Sequence, residues 1–301
     1  MRYGLGYKGS KNRIARAICE VLPTGDRLID LFGGGGAISD CASQMGKWGS
    51  VVYSDVDPLI ARLCKSFFSG EYSGSKDLYR WVSRDDFYRL RDTDPLVRFC
   101  WSFGTNGKDY LYSRAKEPYK EAIHRAIVDG TYSDLFMQMT GGVVPFESKT
   151  VLDRYGEWGR FARHNAALFG QRLELCQAIL NISPLVCRCE AIERCGNLAR
   201  TACGVEVLTR SYLEYTYTNG DIVYCDIPYE GTVCGSYTGF DHTAFWKWAR
   251  RVPRFVSSYT APPDFEVVWE QDVGVLSATG THGTATERLF RSPCRGRVCP
   301  V

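Results

Sequence analysis

A short apolar strand that runs directly into four consecutive glycines constrains the fold more than any other feature of the sequence. The strand pattern covers Arg27–Phe32, the glycines are Gly33–Gly36, and Ala37–Met45 follows with helical spacing. Consecutive glycines are entropically costly, but they permit a tight turn in which the backbone approaches a ligand closely. The sequence therefore predicts a strand, a ligand-binding turn and a helix, with a glycine-rich turn that binds nothing as the alternative.

The segments that flank this turn alternate between helical and strand patterns. A helix is predicted over residues 11–22, with Ser10 as its N-cap and Pro23 at its end. A second strand over Ser50–Asp55 precedes a helix that begins at Pro58. This alternation of strands and helices is typical of an α/β fold with a parallel sheet.

The middle of the chain differs in character, and we interpret residues 69–203 as an insertion. It is longer than any ordinary loop, and its predicted helices, which are charged and aromatic-rich, are Lys76–Arg91, Pro118–Asp129 and Arg154–Ile182. Strand and helix patterns return at Val205–Leu208, Asp221–Cys225, His242–Arg251 and Phe255–Ser258. We therefore predict one sheet domain, formed by residues 1–68 and 204–301, that the insertion interrupts.

Asp55 ends the second predicted strand, where an acidic side chain can hold the hydroxyl groups of a ribose. The full G-x-G-x-x-G pattern of dinucleotide-binding proteins fails, because Ile38 or Ser39 stands at the third glycine position. The glycine turn and Asp55 together predict a nucleotide-like ligand and leave NAD, FAD and S-adenosylmethionine open.

The tetrapeptide Asp226-Ile227-Pro228-Tyr229 follows an apolar strand, so we expect it at the carboxyl edge of the sheet, beside the glycine turn. Its residue types suit methyl transfer to an aromatic amine, whose delocalised lone pair must be drawn out by hydrogen-bond acceptors. The Asp226 carboxylate and the Ile227 carbonyl are the predicted acceptors. Tyr229 is predicted to stack on a base taken out of the duplex, and Pro228 to stiffen the turn. A plain strand-to-turn segment is the alternative.

In their order along the chain, these motifs resemble the Dam-type DNA adenine N6-methyltransferases of bacteria and phages, the D12 class or alpha group. The resemblance lies in Tyr7-Lys8-Gly9-Ser10-Lys11, Asp30 to Gly36, Ser54 to Asp57, Arg210-Ser211-Tyr212 and Val223 to Tyr229. It implies a Rossmann-like methyltransferase sheet with a largely helical target-recognition insert, and S-adenosylmethionine as the cofactor. The residues that it places around the cofactor are Tyr7, Lys11, Asp30, Phe32, Gly34, Gly36, Asp55, Val56, Ser211 and Tyr212.

Within the insertion, Ser102–Ser113 is similar to a segment of phage members of this family, in which the insert reads the target sequence. Double-stranded DNA is therefore the expected partner, with polar and aromatic side chains at base edges and basic side chains on phosphates. The predicted DNA-contacting residues are Arg13, Arg16, Asn106, Lys108, Tyr110, Tyr112, Arg114 and Lys116. For the residues of this set that lie in the insertion, a solvated turn is the alternative.

One position departs from the family pattern, because Ile227 stands where the D-P-P-Y tetrapeptide has its first proline. The family resemblance implies that this position acts through its backbone carbonyl. Isoleucine supplies the same acceptor with less rigidity, so we expect activity to survive the change.

Composition limits the remaining possibilities. No stretch approaches the roughly 20 apolar residues that span a bilayer, so we expect no membrane association and a cytoplasmic protein. The family resemblance implies a bacterial or phage-infected cell, and we expect a monomer or weak dimer. The net charge of +3 does not by itself indicate nucleic acid. The odd number of cysteines favours reduced thiols, and no metal is expected, because zinc-type C-x2-C pairs are missing among Cys187, Cys189, Cys195 and Cys203.

Other functions remain open at this point. A similar tetrapeptide serves methylation of cytosine N4, of adenine in RNA or of a protein glutamine, and a DNA-binding homologue without catalysis would keep the fold. An oxidoreductase would leave the tetrapeptide unexplained. Methylation of cytosine C5 is disfavoured because it needs a Pro-Cys nucleophile, and Pro293-Cys294 is predicted to lie far from any strand end.

Overall fold

The computed structural model describes residues 3–6, 9–165, 188–192, 204–230, 239–252, 254–276 and 282–294. The chain forms two compact units, one of residues 1–70 and 195–301 and the other of residues 71–194. The first contains a seven-stranded sheet with helices, and the described part of the second is mainly helical. The mixed α/β, Rossmann-like fold predicted from the sequence is thereby confirmed.

The sheet unit is organised around parallel strands. Its strands are β1 (Gly25–Asp30), β2 (Trp48–Ser54), β3 (Val205–Leu208), β4 (Asp221–Asp226), β5 (Arg254–Ser258), β6 (Glu266–Leu276) and β7 (His282–Arg291). They lie in the order β3-β2-β1-β4-β5-β7-β6, with parallel pairing from β3 to β5 and antiparallel pairing of β7 with β5 and β6. The strand order reverses at β1, which lies between β2 and β4. Open α/β sheets bind ligands outside the carboxyl ends of their strands at such a point.

The helices are short. Numbered along the described residues, those with both ends described are α1 (Ala15–Val21), α2 (Ala37–Met45), α3 (Pro58–Phe68), α4 (Arg84–Leu90), α5 (Pro95–Cys100), α6 (Glu117–Val128), α7 (Asp134–Thr140), α8 (Val151–His164) and α9 (His242–Ala249). The first three and α9 belong to the sheet unit. None of the helices in the described ranges is long and apolar enough to cross a membrane.

The central strands bury both of their faces. Leu28 and Tyr224 pack in a cluster with residues of α1 and α2, whereas their neighbours Ile29 and Val223 pack in a cluster with residues of α9. Successive side chains of a strand point to opposite faces, so a strand covered on both sides reads as one apolar run. This explains why β1 and β4 were recognisable in the sequence.

The hairpin of β6 and β7 was not predicted. Arg288 forms an ion pair with Glu270 at 3.1 Å, and Arg291 forms one with Glu266 at 2.5 Å. These charged cross-strand pairs interrupt the apolar alternation by which a half-buried strand is recognised.

The first helix begins later than predicted. Ser10 does not cap it, because the Ser10 hydroxyl donates to the Leu5 carbonyl (3.1 Å) and α1 starts at Ala15 without a side-chain cap. The Ile14 N–H donates to the Lys11 carbonyl at 2.9 Å within a series of turns. Lys11 therefore lies in a turn that precedes the helix.

The helical unit packs around aromatic residues. His124 on α6 donates from Nε2 to the Tyr79 carbonyl (2.6 Å) and accepts at Nδ1 from the Tyr155 hydroxyl (2.9 Å). Burial lowers the pKa of His124 to about 4, so its ring is neutral at physiological pH. The rings of Trp81 and Trp101 meet edge to face with centroids 4.9 Å apart.

Two predicted helices differ from the structure. The segment Lys76–Arg91 is a one-turn 3₁₀ helix followed by α4, because the Ser83 hydroxyl accepts from the Asp86 N–H and begins a new helix there. The helix predicted over Arg154–Ile182 begins at Val151 and ends at His164, and residues 166–182 lie outside the described residues.

Lys120 is buried in the helical unit, and no described residue supplies a compensating negative charge. It is 4% exposed, its Nζ lies 5.6 Å from the centroid of the Tyr112 ring, and it has no hydrogen-bond partner among the described residues. Burial, with a smaller contribution from Lys116, lowers the pKa of Lys120 from 10.5 to about 7. The folded state therefore disfavours the charged form of this lysine.

We expect Lys120→Met to raise the free energy of unfolding at pH 6 by about 1–3 kcal/mol, the cost of an unsatisfied buried polar group. Between pH 7 and 10 the unfolded chain binds a proton at Lys120 that the folded protein does not, so wild-type stability rises and the advantage of the variant shrinks. Urea denaturation at pH 6 and pH 9 measures this, with the exposed Lys149→Met as the control. An advantage independent of pH would contradict the electrostatic explanation.

Candidate active site

The glycine turn after β1 has a backbone that other residues would not adopt. Gly34 and Gly36 have φ angles of +46° and +73°, in the left-handed region. A Cβ on Gly33 would lie 2.2 Å from an atom of the Tyr53 ring. The Tyr53 hydroxyl donates to the Gly34 carbonyl at 2.8 Å and holds the turn from the side of β2. The turn is therefore closely packed against the sheet.

Asp30, the last residue of β1, has one carboxylate oxygen with no partner in the described part of the chain. The residue is 1% exposed, and its Oδ2 accepts from the Ser39 hydroxyl at 2.8 Å. Oδ1 is buried and has no hydrogen-bond partner among the described residues. Burial raises the pKa of Asp30 to about 7, against the Ser39 hydrogen bond and with help from Asp226 and Asp55. Such an oxygen suits a ligand that brings a hydrogen-bond donor or a positive charge.

Asp55, which follows β2, ties that strand to the glycine turn. Its Oδ2 accepts from the Gly34 N–H at 2.9 Å, and its Oδ1 accepts from the Asp57 N–H at 2.8 Å. Each carboxylate oxygen can accept a further bond, so the ribose contact stays a prediction. The next residue, Val56, is 39% exposed, unlike the buried Asp55.

Aromatic residues form a wall beside the turn. The Phe32 ring lies 5.6 Å from that of Tyr212 and 5.7 Å from that of Phe240, measured between centroids. Ser211 has a local role, because its hydroxyl accepts from the Leu213 N–H and caps a short 3₁₀ helix. This cap therefore positions Tyr212, whose ring contacts that of Phe32.

A buried ionic cluster lies at the carboxyl end of β4. The Lys11 Nζ is 2.7 Å from Asp226 Oδ1 and 3.5 Å from Glu287 Oε1, and it also lies 4.9 Å from the centroid of the Tyr229 ring. The Tyr229 hydroxyl donates to Glu287 Oε1. The Lys11 and Glu287 side chains are 6% and 5% exposed, whereas Asp226 is 19% exposed. Asp226 is therefore the carboxylate of the pair that an incoming group can reach more easily.

The charges in this cluster change the pKa values of its members. Burial lowers the pKa of Lys11, but the attraction of Asp226 and Glu287 outweighs it and raises the pKa overall. Burial raises the pKa of Asp226 to about 6, Lys11 opposes the rise and Glu287 adds to it. Burial, followed by the Asp226 and Glu287 charges, also raises the pKa of Tyr229. At neutral pH the cluster thus contains an ammonium, an ionised Asp226 and a neutral tyrosine.

The rest of the tetrapeptide is fixed on both sides. Ile227 is 2% exposed and belongs to the apolar cluster that includes Phe245 and Val256. The Pro228 carbonyl accepts from Nε2 of His242, the first residue of α9, at 2.7 Å. This packing and this hydrogen bond hold the main chain that carries the predicted acceptors.

The predicted DNA-contacting residues fall into two groups. Arg13, Arg16, Lys108, Arg114 and Lys116 are exposed, and Arg16 pairs with Glu20 at 2.9 Å. Asn106 is also exposed, but its Oδ1 accepts from the Lys108 and Asp109 N–H groups. The turn thus uses the Asn106 side chain for its own structure.

The structure corrects the prediction that Tyr110 and Tyr112 contact DNA, because both side chains are buried and cannot reach a base edge. They are 5% and 8% exposed, and the Tyr110 hydroxyl donates to the Val82 carbonyl at 2.7 Å. The Trp101 ring stacks on Tyr110 and meets Tyr112 edge to face. The aromatic alternation around Leu111 marks the core of the helical unit.

Three residues near the tetrapeptide were missed in the sequence. Glu287 lies on β7, which no pattern predicted, and His242 was assigned only to a helix. Tyr259 follows β5, and its ring meets that of Tyr229 edge to face with centroids 4.4 Å apart. An acidic residue inside an arginine-rich stretch gives no local signal of a site, so Glu287 was not detectable from its neighbours.

Some predicted residues are placed elsewhere or not described. Tyr7 lies outside the described residues, as do Cys187, Cys195 and Cys203, whereas Cys189 is buried and its thiol donates to the Leu78 carbonyl at 3.3 Å. Pro293-Cys294 is close to a strand end, contrary to the prediction, because β7 ends at Arg291. That end of β7 lies beside Arg254, at the amino end of β5 and away from the edge that carries Asp226.

The model of the D12 class N6 adenine-specific DNA methyltransferase family matches residues 7–132. The family recognised from the motifs is thereby confirmed over these residues, which include Lys11, the glycine turn and Asp55. The match ends before Asp226. Comparison with curated proteins finds no match.

We expect Lys11→Met to lower the free energy of unfolding at pH 8 by about 3–5 kcal/mol, because it leaves the buried Glu287 and the half-buried Asp226 without their cation. The loss should be smaller at pH 5, since protonation of Asp226, whose pKa is about 6 even beside Lys11, removes its uncompensated charge. Urea denaturation at both pH values measures the effect, with the exposed Lys247→Met as the control. An equal loss at both pH values would mean that Lys11 stabilises by packing alone.

Proposed function

We propose that this chain, which matches the D12 class adenine methyltransferase family, transfers a methyl group from S-adenosylmethionine to N6 of an adenine flipped out of double-stranded DNA. The members of that family are enzymes that methylate adenine in DNA, and the match supports this activity in general. The observation that carries the proposal is the half-buried carboxylate of Asp226 at the end of β4, the strand that pairs with β1 and its terminal Asp30. A DNA-modifying enzyme of this kind acts in the cytoplasm of a bacterial or phage-infected cell.

The edge of the sheet around β1 and β2 fits S-adenosylmethionine. Oδ1 of Asp30, which has no partner among the residues that the structure describes, suits a group that carries donors and positive charge. The left-handed glycines let the backbone approach that group. Phe32, with Tyr212 beside it, offers an apolar surface for an adenine ring. When bound, S-adenosylmethionine supplies an electrophilic methyl group on a sulfonium sulfur.

Asp226 and the Ile227 carbonyl act on the amino group of the target base. Each accepts one N6–H, which draws the nitrogen out of conjugation and aims its lone pair at the methyl carbon. As the N–C bond forms, the bond from that carbon to sulfur breaks with its electron pair on sulfur. One N6 proton then leaves to Asp226, which with a pKa of about 6 passes it to water at neutral pH.

Tyr229 is the proposed stacking partner of the flipped adenine. Its hydroxyl is bound to Glu287 and its ring is held edge to face by Tyr259, so the ring has one fixed orientation. A ring fixed in advance stacks on a base with little loss of side-chain entropy.

The exposed basic residues of the helical unit are the proposed DNA contacts. Lys108, Arg114 and Lys116 are exposed and suit phosphates, and the turn that bears Asn106 contains a strained residue, Thr105, with a φ of +57°. Phe103, in the same turn, is 64% exposed and was not among the predicted residues. Backbone strain of the kind seen at Thr105 clusters at sites that meet a ligand.

We expect labelled S-adenosylmethionine and mixed-sequence duplex DNA to give label in N6-methyladenine after nucleoside digestion. Asp226→Ala should abolish transfer with little change in cofactor affinity, because Asp226 is assigned to the target base. The exposed Asp272→Ala serves as the control. Label in cytosine, RNA or protein would overturn the proposed substrate, and cofactor binding without transfer would indicate a non-catalytic homologue.

We expect the double variant Lys108→Ala with Arg114→Ala to bind duplex DNA more weakly, and to reduce the slope of log affinity against log salt by about one per lost phosphate contact. Fluorescence anisotropy of a labelled duplex at several salt concentrations measures both quantities. Lys149→Ala, an exposed lysine of the same unit, is the control. An unchanged slope would show that these two side chains do not contact phosphates.

A further inference from the structure

Glu287 is a buried carboxylate that the methyl-transfer step does not use directly. It lies on β7, where its neighbour Arg288 pairs with Ser258, the last residue of β5. Because β7 runs antiparallel to β5, this register brings Glu287 to the carboxyl edge that carries Asp226. Placing an acidic side chain there, 4% exposed, requires compensation.

The compensation comes from two residues of the site. Lys11 Nζ lies 3.5 Å from Glu287 Oε1 and 2.7 Å from Asp226 Oδ1, and the Tyr229 hydroxyl donates to Glu287. The cluster therefore has two carboxyl groups around one ammonium, so Asp226 does not have the charge of Lys11 to itself.

We infer that Glu287 is a positioning residue of the methyl-transfer site, an inference that rests on the proposed function. It fixes the Tyr229 ring through the tyrosine hydroxyl. It also shares Lys11 with Asp226, so that Asp226 remains a strong hydrogen-bond and proton acceptor. Without Glu287, Lys11 would neutralise Asp226 alone and make it a weaker base.

Among the described residues, the titratable groups that interact with Asp226 come from several elements. They are Lys11 before α1, Asp30 at the end of β1, Tyr224 and Tyr229 on and after β4, Tyr259 after β5, and Glu287 on β7. Of these, Lys11 and the Tyr229 hydroxyl lower the pKa of Asp226, and Glu287 raises it. Removal of the Glu287 charge therefore lowers the pKa of Asp226.

The test compares Glu287→Gln, which removes the charge, with Glu287→Asp, which keeps the charge and shortens the reach to Tyr229. For Glu287→Gln we expect kcat to fall about tenfold or more at an unchanged KM for DNA, and the acid limb of the kcat profile to move to lower pH. For Glu287→Asp we expect a lower kcat with the acid limb unmoved. Glu270→Gln, on the exposed side of β6, is the matched control and should change neither quantity.

A readout that does not need turnover separates this inference from the proposed function. Carbon-13 NMR of labelled aspartate carboxyls, assigned with Asp226→Asn, gives the titration midpoint of Asp226 directly. We expect the midpoint, about 6 in the wild type, to fall in Glu287→Gln. An unmoved midpoint overturns the inference even if adenine is methylated. A lowered midpoint in a protein that methylates no adenine supports the shared charge and refutes the proposed function.

Discussion

The ion pair between Lys11 and Asp226 is the interaction on which the sheet edge depends. Burying Asp226 at the end of β4 is unfavourable unless a cation accompanies it, and the cation is supplied by a turn that precedes α1. That turn exists because α1 starts at Ala15 and not at residue 11. The late start of this short helix therefore leaves Lys11 free to place its ammonium beside the half-buried Asp226 carboxylate.

The strand order converts this local pair into a site. Because β1 lies between β2 and β4, the glycine turn, Asp30 and Asp226 end at one edge, although β4 follows β1 only after the whole insertion. The antiparallel β7 adds Glu287 to the same edge. Residues that are distant in the chain thus act on one carboxylate, and a change in Lys11 or Glu287 alters the pKa of Asp226.

Sequence patterns correctly predicted those features of the fold that depend on a few adjacent residues. The apolar run of β1, the glycines after it and the motif at Asp226 each follow from a few adjacent residues, and all lie where they were expected. Glu287 could not be predicted, because its role depends on the register of an edge strand whose charged cross-strand pairs hide the strand pattern. Tyr110 was misassigned for the opposite reason: an aromatic residue beside exposed lysines has the composition of a binding surface, and only packing shows that it is core.

Ile227 shows how the fold compensates for a departure from the family motif. A proline at this position would fix φ through its own ring. Isoleucine leaves the bond free to rotate, but its side chain is buried in the cluster with Phe245 and Val256, and the next carbonyl is held by His242. Tertiary packing and one hydrogen bond from α9 thus restrain the backbone that a ring would otherwise restrain. The rigidity that acceptor geometry requires therefore comes in this chain from the apolar face of β4 and from the first turn of α9.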